Sequence, residues 1–318
     1  MKFSLQLFIL FLLLSVTAVT AKAESFQIDT LKPWQGTKVR FRDQVTLYVF
    51  RPEKPNGLSV VVCPGGSYFW LDRYTEGTEV GEWLSKHGIT AFVLYYRTAG
   101  AAEFIWNTRI LFKGKRHPDM ITDGQRALQW AWEHADDYHI DRDKIGMMGF
   151  SAGGHLVMSC ACFHTTNFLQ AEGIQTQACL RPAFVVPVYP VVTMHKPYVH
   201  KRSQRGLLGN FRRNDKKMQD SLSLERHIPA DCPPVFLINC VDDPVVDYHN
   251  SVLLDSALSA QSIPHRYLQY KRGKHGFGVS DHLGSPECRQ WRTEFLSWLQ
   301  GLYPQCRLDT LPTEAPKD

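Results

Sequence analysis

Residues 149–153 read Gly-Phe-Ser-Ala-Gly, a Gly-x-Ser-x-Gly frame between a short apolar run and a small-residue helix start. A strand-to-helix turn that tight leaves no room for side chains at its flanks. Gly149 and Gly153 fit those positions, and Ser151 is expected in a strained conformation with its hydroxyl presented to solvent. The chemistry on offer is nucleophilic attack on an acyl carbon. A serine hydroxyl is a weak nucleophile until a base takes its proton, a third group orients the base, and amides receive the developing oxyanion. With Gly and Ser each near roughly 7% of residues, the bare frame arises by chance in about one chain in ten of this size, so its partners must decide.

The partners follow in the order acid, then histidine. Pro234 to Cys240 reads as a buried strand that breaks into Val241-Asp242-Asp243-Pro244-Val245-Val246, which puts acid at the strand's carboxyl end. From the residues alone, Asp242 and Asp243 are equal candidates. A second apolar run, His265 to Tyr270, empties into Lys271-Arg272-Gly273-Lys274-His275-Gly276-Phe277-Gly278, where glycines let a loop carry His275 over the sheet. Of the thirteen histidines only His275 has this setting. His155, four residues past Ser151, reads as a packed histidine bonded to backbone. Upstream, the strand Leu58 to Cys63 runs into Pro64-Gly65-Gly66-Ser67-Tyr68. A loop of that composition can aim amides at an oxyanion, and Gly66, Ser67 and Ala152 are the expected donors.

These loops need a scaffold that brings strand ends together. Periodicity predicts helices over Thr75–His87, Asp119–His134, Asn250–Ala260 and Glu287–Leu302, and strands over Ile89–Tyr96 and Phe184–Val191. The alternation is α/β, with a parallel sheet whose working residues stand at the carboxyl ends of its strands. Residues 98–118 and 194–230 fit no regular element and are expected to be loop insertions overhanging the site.

The motifs Cys63-Pro64-Gly65-Gly66-Ser67-Tyr68, Asp123-Gly124-Gln125-Arg126-Ala127, Gly149 to His155, Leu207-Leu208-Gly209, Asp242 to Val246 and His275-Gly276-Phe277-Gly278 occur in that order. Together they resemble the α/β-hydrolase fold from about Val45 to Leu302, and most of all small secreted carbohydrate esterases of the acetylxylan and feruloyl esterase type. The resemblance implies a mostly parallel central sheet with helices on both faces. It selects Asp243, which stands immediately before Pro-Val-Val, as the partner of His275. It also implies an acyl-enzyme and an acylated oligosaccharide substrate, with acetyl groups on xylan-type chains first. Two positions depart from the family pattern: Ser67 stands for a third glycine and Asp247 for a proline. Tyr68, Trp70 and Trp106 then read as substrate-binding rings for sugar C–H faces. Two alternatives are weaker. A serine peptidase of related fold would be expected to carry a gating domain ahead of the hydrolase, and a non-catalytic glycan-binding protein would have no need of the complete set Ser151, Asp243 and His275.

Met1 to Ala23 has Lys2, an apolar stretch from Leu5 to Val19 and the small-residue site Ala21-Lys22-Ala23, the layout of a cleavable signal peptide. The expectation is a secreted or periplasmic protein whose residues 24–318 form one hydrolase domain. No later apolar run is long enough to span a bilayer, so no membrane insertion is expected once the signal is removed. The formal charge is +5, two of it from Lys2 and Lys22, too little to argue for nucleic acid. The local clusters Lys113, Lys115, Arg116 and Lys201 to Lys217 read as solvated faces, or as attraction to uronate-bearing glycans. Eight cysteines in an exported chain would suggest disulfides. Yet Cys63 and Cys240 end central strands, and Cys160 and Cys162 lie on the helix behind Ser151, so few disulfides or none are expected. Neither a His-Glu-x-x-His nor a paired Cys-x-x-Cys spacing occurs, and no metal or cofactor is expected.

Overall fold

The computed structural model of the chain describes residues 27–106 and 115–308. The strands are β1 (Gln27–Leu31), β2 (Thr46–Arg51), β3 (Gly57–Cys63), β4 (Thr90–Tyr95), β5 (Ile140–Phe150), β6 (Val185–Val188), β7 (Val235–Cys240) and β8 (His265–Tyr270), in one sheet of order β1-β2-β4-β3-β5-β6-β7-β8. Pairing is antiparallel from β1 through β2 to β4, and parallel from β4 to β8. The helices are α1 (Glu79–Lys86), α2 (Ala101–Trp106), α3 (Asp119–Glu133), α4 (Ala152–Cys162), α5 (Lys201–Arg212), α6 (Lys216–Ser221), α7 (His249–Ala260), α8 (Pro286–Arg289) and α9 (Trp291–Leu302).

The central strands are valine-rich and buried almost throughout, as strands covered on both faces must be. Alternate residues feed two cores. Val61, Phe92 and Met147 pack with Leu128, Leu156 and Leu254 on one face. On the other, Val60, Val93 and Met148 pack with Leu84, Phe295 and Leu299. This is the α/β-hydrolase arrangement expected from the sequence.

Register sets the function-bearing rim. Cys63 of β3 pairs with Gly149 of β5, Phe150 with Val188 of β6, and Cys240 of β7 with Tyr270 of β8. The loops after β3, β5, β6, β7 and β8 therefore leave the sheet on one side. The segment after β4 is fixed separately. Asp123, fully buried in α3, accepts from Trp34 Nε1 at 2.8 Å, from the Arg97 backbone at 2.9 Å and from Arg97 Nε at 3.0 Å. Removing one partner of such a buried pair leaves an uncompensated charge, which is why the network locks the segment in place.

Two expectations need correction. The segments 98–118 and 194–230 contain helices α2, α5 and α6. In α5 the helical signal is hidden because only Leu207 and Leu208 supply buried apolar side chains, among Lys and Arg. Its place comes from packing: a Cβ on Gly206 would run into the Ser67 carbonyl. The edge strand β1 and its neighbour β2 also escaped the sequence reading; β1 is mostly exposed and lacks an apolar run, and β2 is a short strand paired to it on one side and to β4 on the other. All eight cysteines are free thiols. The leader-like stretch 1–23 lies outside the described residues, and no described helix is long and apolar enough to cross a membrane.

Candidate active site

Ser151 joins β5 to α4 with φ 53° and ψ −117°, a backbone conformation that costs on the order of 1–3 kcal/mol and persists only when neighbours over-determine it. Its N–H donates to Val188 O at 3.0 Å, and its carbonyl accepts from Val191 N at 3.1 Å. A Cβ on Gly149 would strike the Gly153 carbonyl, and one on Gly153 would strike the Cys63 carbonyl. The frame's glycines are thus imposed by the approach of α4 to the end of β3.

His275 Nδ1 lies 2.6 Å from Asp243 Oδ2, with the Asp243 side chain 1% exposed. A carboxylate only accepts, so Nδ1 carries the proton and Nε2 keeps a lone pair. The other oxygen of Asp243 accepts from Val245 N at 2.7 Å and Val246 N at 3.0 Å. Asp242 turns outward. Its Oδ1 accepts from Gly273 N at 2.9 Å and Lys274 N at 2.8 Å, so it anchors the histidine loop by its backbone. Among the described residues Ser151 makes its hydrogen bonds through its backbone, and none links its hydroxyl to His275. In substrate-free sites that contact is commonly long and tightens on binding. Tyr189, at the end of β6, spans the gap: its ring is 5.9 Å from Phe150 and 4.6 Å from His275.

After β3 the loop turns through Gly66 at φ 131°, Ser67 at φ 57° and Tyr68 at φ 64°. The family's glycine at the Ser67 position is explained by that left-handed backbone. Gly66 O accepts from Phe69 N at 3.1 Å and Trp70 N at 3.2 Å. Among the described residues the N–H groups of Gly66 and Ser67 have no acceptor, and Ala152 opens α4, where a helix leaves its first donors unpaired.

Tyr68 does not face a substrate. It is 1% exposed, and its hydroxyl lies 2.8 Å from His155 Nδ1. The consecutive positive φ angles turn this ring into the core. His155 Nε2 lies 2.9 Å from Leu222 O, so Nε2 holds the proton and Nδ1 accepts from Tyr68. Burial pushes the His155 imidazole down to about 4, and it is a packed, neutral histidine. Trp70 is 38% exposed and meets the Phe104 ring edge-on at 5.2 Å, with the Arg202 guanidinium 5.9 Å from Trp70 and 5.7 Å from Phe104. Trp106 ends α2, and its side chain lies outside the described residues. His200, which caps α5, is pushed down to about 4 by burial, then by Arg202 and His275. Glu76 and Tyr189 are not singled out by the sequence, because nothing in their spacing marks them, whereas Phe104 belongs to the aromatic surplus of the 98–118 segment. No cluster of three or more His, Cys, Asp or Glu able to hold a metal occurs among the described residues.

The BD-FAE family model matches residues 47–258, a range that holds Ser151 and Asp243 and stops before His275. The chain is 28% identical over 269 residues to an acetylxylan esterase of Xylanibacter ruminicola, covering 83% of this chain and 49% of that protein. It is 31% identical over 222 residues to endo-1,4-beta-xylanase B of Butyrivibrio fibrisolvens, covering 70% of this chain and 33% of that protein. The chain thus spans about half the length of the first relative and a third of the second. Among solved structures, an acetyl ester-xyloside bifunctional hydrolase from Caldicellulosiruptor lactoaceticus superposes with a TM-score of 0.71 at 25% identity, covering 86% of this chain and 96% of that one.

Proposed function

Because the chain belongs to the BD-FAE family and has the α/β-hydrolase fold, we propose that it is an exported serine esterase that removes short acyl groups, acetyl first, from xylan-type oligosaccharides. The observation that carries the reading is the 2.6 Å bond from Asp243 to His275, held over the strand ends next to the strained Ser151. Asp243 keeps the proton on Nδ1, so Nε2 is free to take the Ser151 proton as the hydroxyl attacks the ester carbonyl. The oxyanion that forms is received by the N–H groups of Gly66, Ser67 and Ala152. Collapse of this intermediate breaks the ester bond, and the alcohol leaves with the proton from His275. Water then repeats the sequence on the acyl-enzyme, releasing the carboxylic acid and restoring Ser151.

The substrate class is supported by the names of the relatives and by the rim. Trp70 and Phe104 offer partly exposed ring surface beside the site, where a sugar can stack. Leu207 and Leu208 of α5 are spent in the core, which leaves Phe211 as the exposed large apolar side chain on that helix, short of the continuous stripe a long acyl tail would need. Export rests on the layout of Met1 to Ala23. The test compares wild type with Ser151→Ala. Wild type should be labelled covalently by a fluorophosphonate and release acetate from acetylated xylo-oligosaccharide faster than it cleaves feruloylated oligosaccharide or tributyrin. Ser151→Ala should lose the label and at least about 10⁴-fold of turnover, since such residues act as a unit. Labelling that survives the substitution would move the nucleophile elsewhere. Preference for tributyrin, with no acetate from the glycan, would discard the carbohydrate ester.

A further inference from the structure

Glu76 is 3% exposed and lies in the π-helical turn Tyr74–Thr78 ahead of α1. Its Oε2 accepts the Gly65 N–H at 2.7 Å, and its Oε1 accepts the Tyr189 hydroxyl at 2.8 Å. The Tyr189 oxygen in turn accepts the Gly278 N–H at 3.1 Å, three residues beyond His275. One carboxylate thereby ties the loop that carries Gly66 and Ser67 to the loop that carries His275. The fit around Gly65 is close. A Cβ there would stand 2.6 Å from Glu76 Oε2 and 2.9 Å from Ser151 Cβ, so the glutamate is one glycine away from the nucleophile.

We propose that Glu76 is a positioning residue for the esterase reaction: as a carboxylate it fixes the oxyanion loop through Gly65 and the histidine loop through Tyr189. The proposal rests on the esterase reading above. Both of its partners donate, which suits the ionised carboxyl, an acceptor at both oxygens. Protonation turns one of those oxygens into a donor, so the Tyr189 hydroxyl must stop donating to it and the tie rearranges. The Tyr189 ring also lies 4.6 Å from the His275 ring, so the hydroxyl that Glu76 accepts belongs to a side chain packed on the base. The titratable groups around Glu76 are His275, Tyr189, Asp72 and Tyr96. Burial pushes Glu76 up to about 7, opposed by His275, Tyr189 and Gly65 and reinforced by Asp72. Acidification through that value should therefore protonate Glu76, slacken both loops and lower the rate.

The experiment measures p-nitrophenyl acetate hydrolysis from pH 5 to 9 for wild type, Glu76→Gln and Tyr189→Phe, with fluorophosphonate labelling alongside. Loosening an oxyanion loop costs less than deleting one of its donors, so Glu76→Gln should lower kcat about 10- to 100-fold with KM within about twofold. The acid limb of its kcat/KM profile should lose the ionisation near 7. Tyr189→Phe keeps the ring against His275 and removes the hydroxyl link; it should lower kcat in the same direction and retain that ionisation. A Glu76→Gln protein with wild-type kcat and an unchanged acid limb overturns the proposal, whatever its melting temperature. Should that variant fail to fold, Tyr189→Phe with wild-type kcat overturns it instead. Wild type that resists labelling at Ser151 sinks the esterase reading and this proposal with it; a labelled, active wild type with an indifferent Glu76 sinks this proposal alone.

Discussion

Replacing each of the adjacent aspartates by asparagine separates their roles by a margin that follows from their hydrogen bonds. In Asp243 one oxygen holds two backbone N–H groups, at 2.7 and 3.0 Å, and the other holds His275. An asparagine there meets a choice. With its carbonyl on Val245 and Val246, its NH₂ faces Nδ1, so the ring must carry its proton on Nε2 and cannot accept from Ser151. Rotating the amide restores the working tautomer and strands two N–H donors against an NH₂. Each donor left unpaired costs about 1–3 kcal/mol, roughly 2–6 kcal/mol for the pair. At about 1.4 kcal/mol per factor of ten, the competent tautomer falls between roughly 30- and 10⁴-fold. The analogous substitution in a serine protease, at about 10⁴, sits at the upper end of that range. The Asp242→Asn change meets no such conflict, because the new amide's carbonyl keeps Gly273 and Lys274 while its NH₂ faces water. Surface changes of this kind usually stay within about 0.5 kcal/mol, so less than about threefold is expected. The assay is kcat on p-nitrophenyl acetate from pH 6 to 9, with urea denaturation to confirm that both variants fold. Equal losses, or the larger loss in Asp242→Asn, would refute the reasoning.

Two more outcomes bear on the rim and the core. Tyr68→Phe should cost about 1 kcal/mol of stability, the net worth of a typical hydrogen bond, and leave KM on acetylated xylo-oligosaccharide unchanged; a large rise in KM would return Tyr68 to the substrate face. Trp70→Ala should raise KM on that oligosaccharide roughly 2- to 10-fold, from a stacking energy of about 0.5–1.5 kcal/mol, with p-nitrophenyl acetate unaffected; equal effects on both substrates would contradict a sugar-stacking role. His155, held at about 4 in the fold, binds its proton more readily in the unfolded chain. Its neutral form therefore supports stability above about 6.5, and that support declines as pH falls from 6.5 to 4, at up to about 1.4 kcal/mol per unit. The stability gap between wild type and His155→Gln, followed by urea titration, should narrow over that window, and a constant gap would show that His155 is not the group being titrated.

What could be read from the residues was whatever has a local cause. The glycines around Ser151 answer a collision between backbones, and the strands β3, β7 and β8 are apolar runs that stop at a polar loop, so their ends were visible to within a residue or so. The histidine loop announces itself through its glycines. Directions of side chains were another matter. Tyr68 and Trp70 are two residues apart in one aromatic stretch, yet the first faces the core and the second the solvent, because the left-handed turn at Ser67 and Tyr68 decides it and composition does not. Helix α5 was hidden because its support comes from the oxyanion loop against which Gly206 packs, a contact between residues far apart in the chain. Glu76 and Tyr189 were invisible for the same reason: 113 positions separate them, and only the folded sheet brings them into contact.

The strand order has a consequence for how the site fails. β5, which bears Ser151, has a hydrogen-bonded neighbour on either side, whereas β8, which leads to His275, has β7 alone and not one fully buried residue. Sheets fray from their margins, where few apolar contacts resist local opening. Nucleophile and base thus hang from elements of unequal endurance. On warming, the peripheral strand should detach with its loop before the central strands part, so the site is disarmed before the fold is lost. In hydrogen exchange the amides of β8 should be the first of the parallel ladder to take up deuterium, and those of β3 and β5 the last, with the loss of catalysis tracking the former.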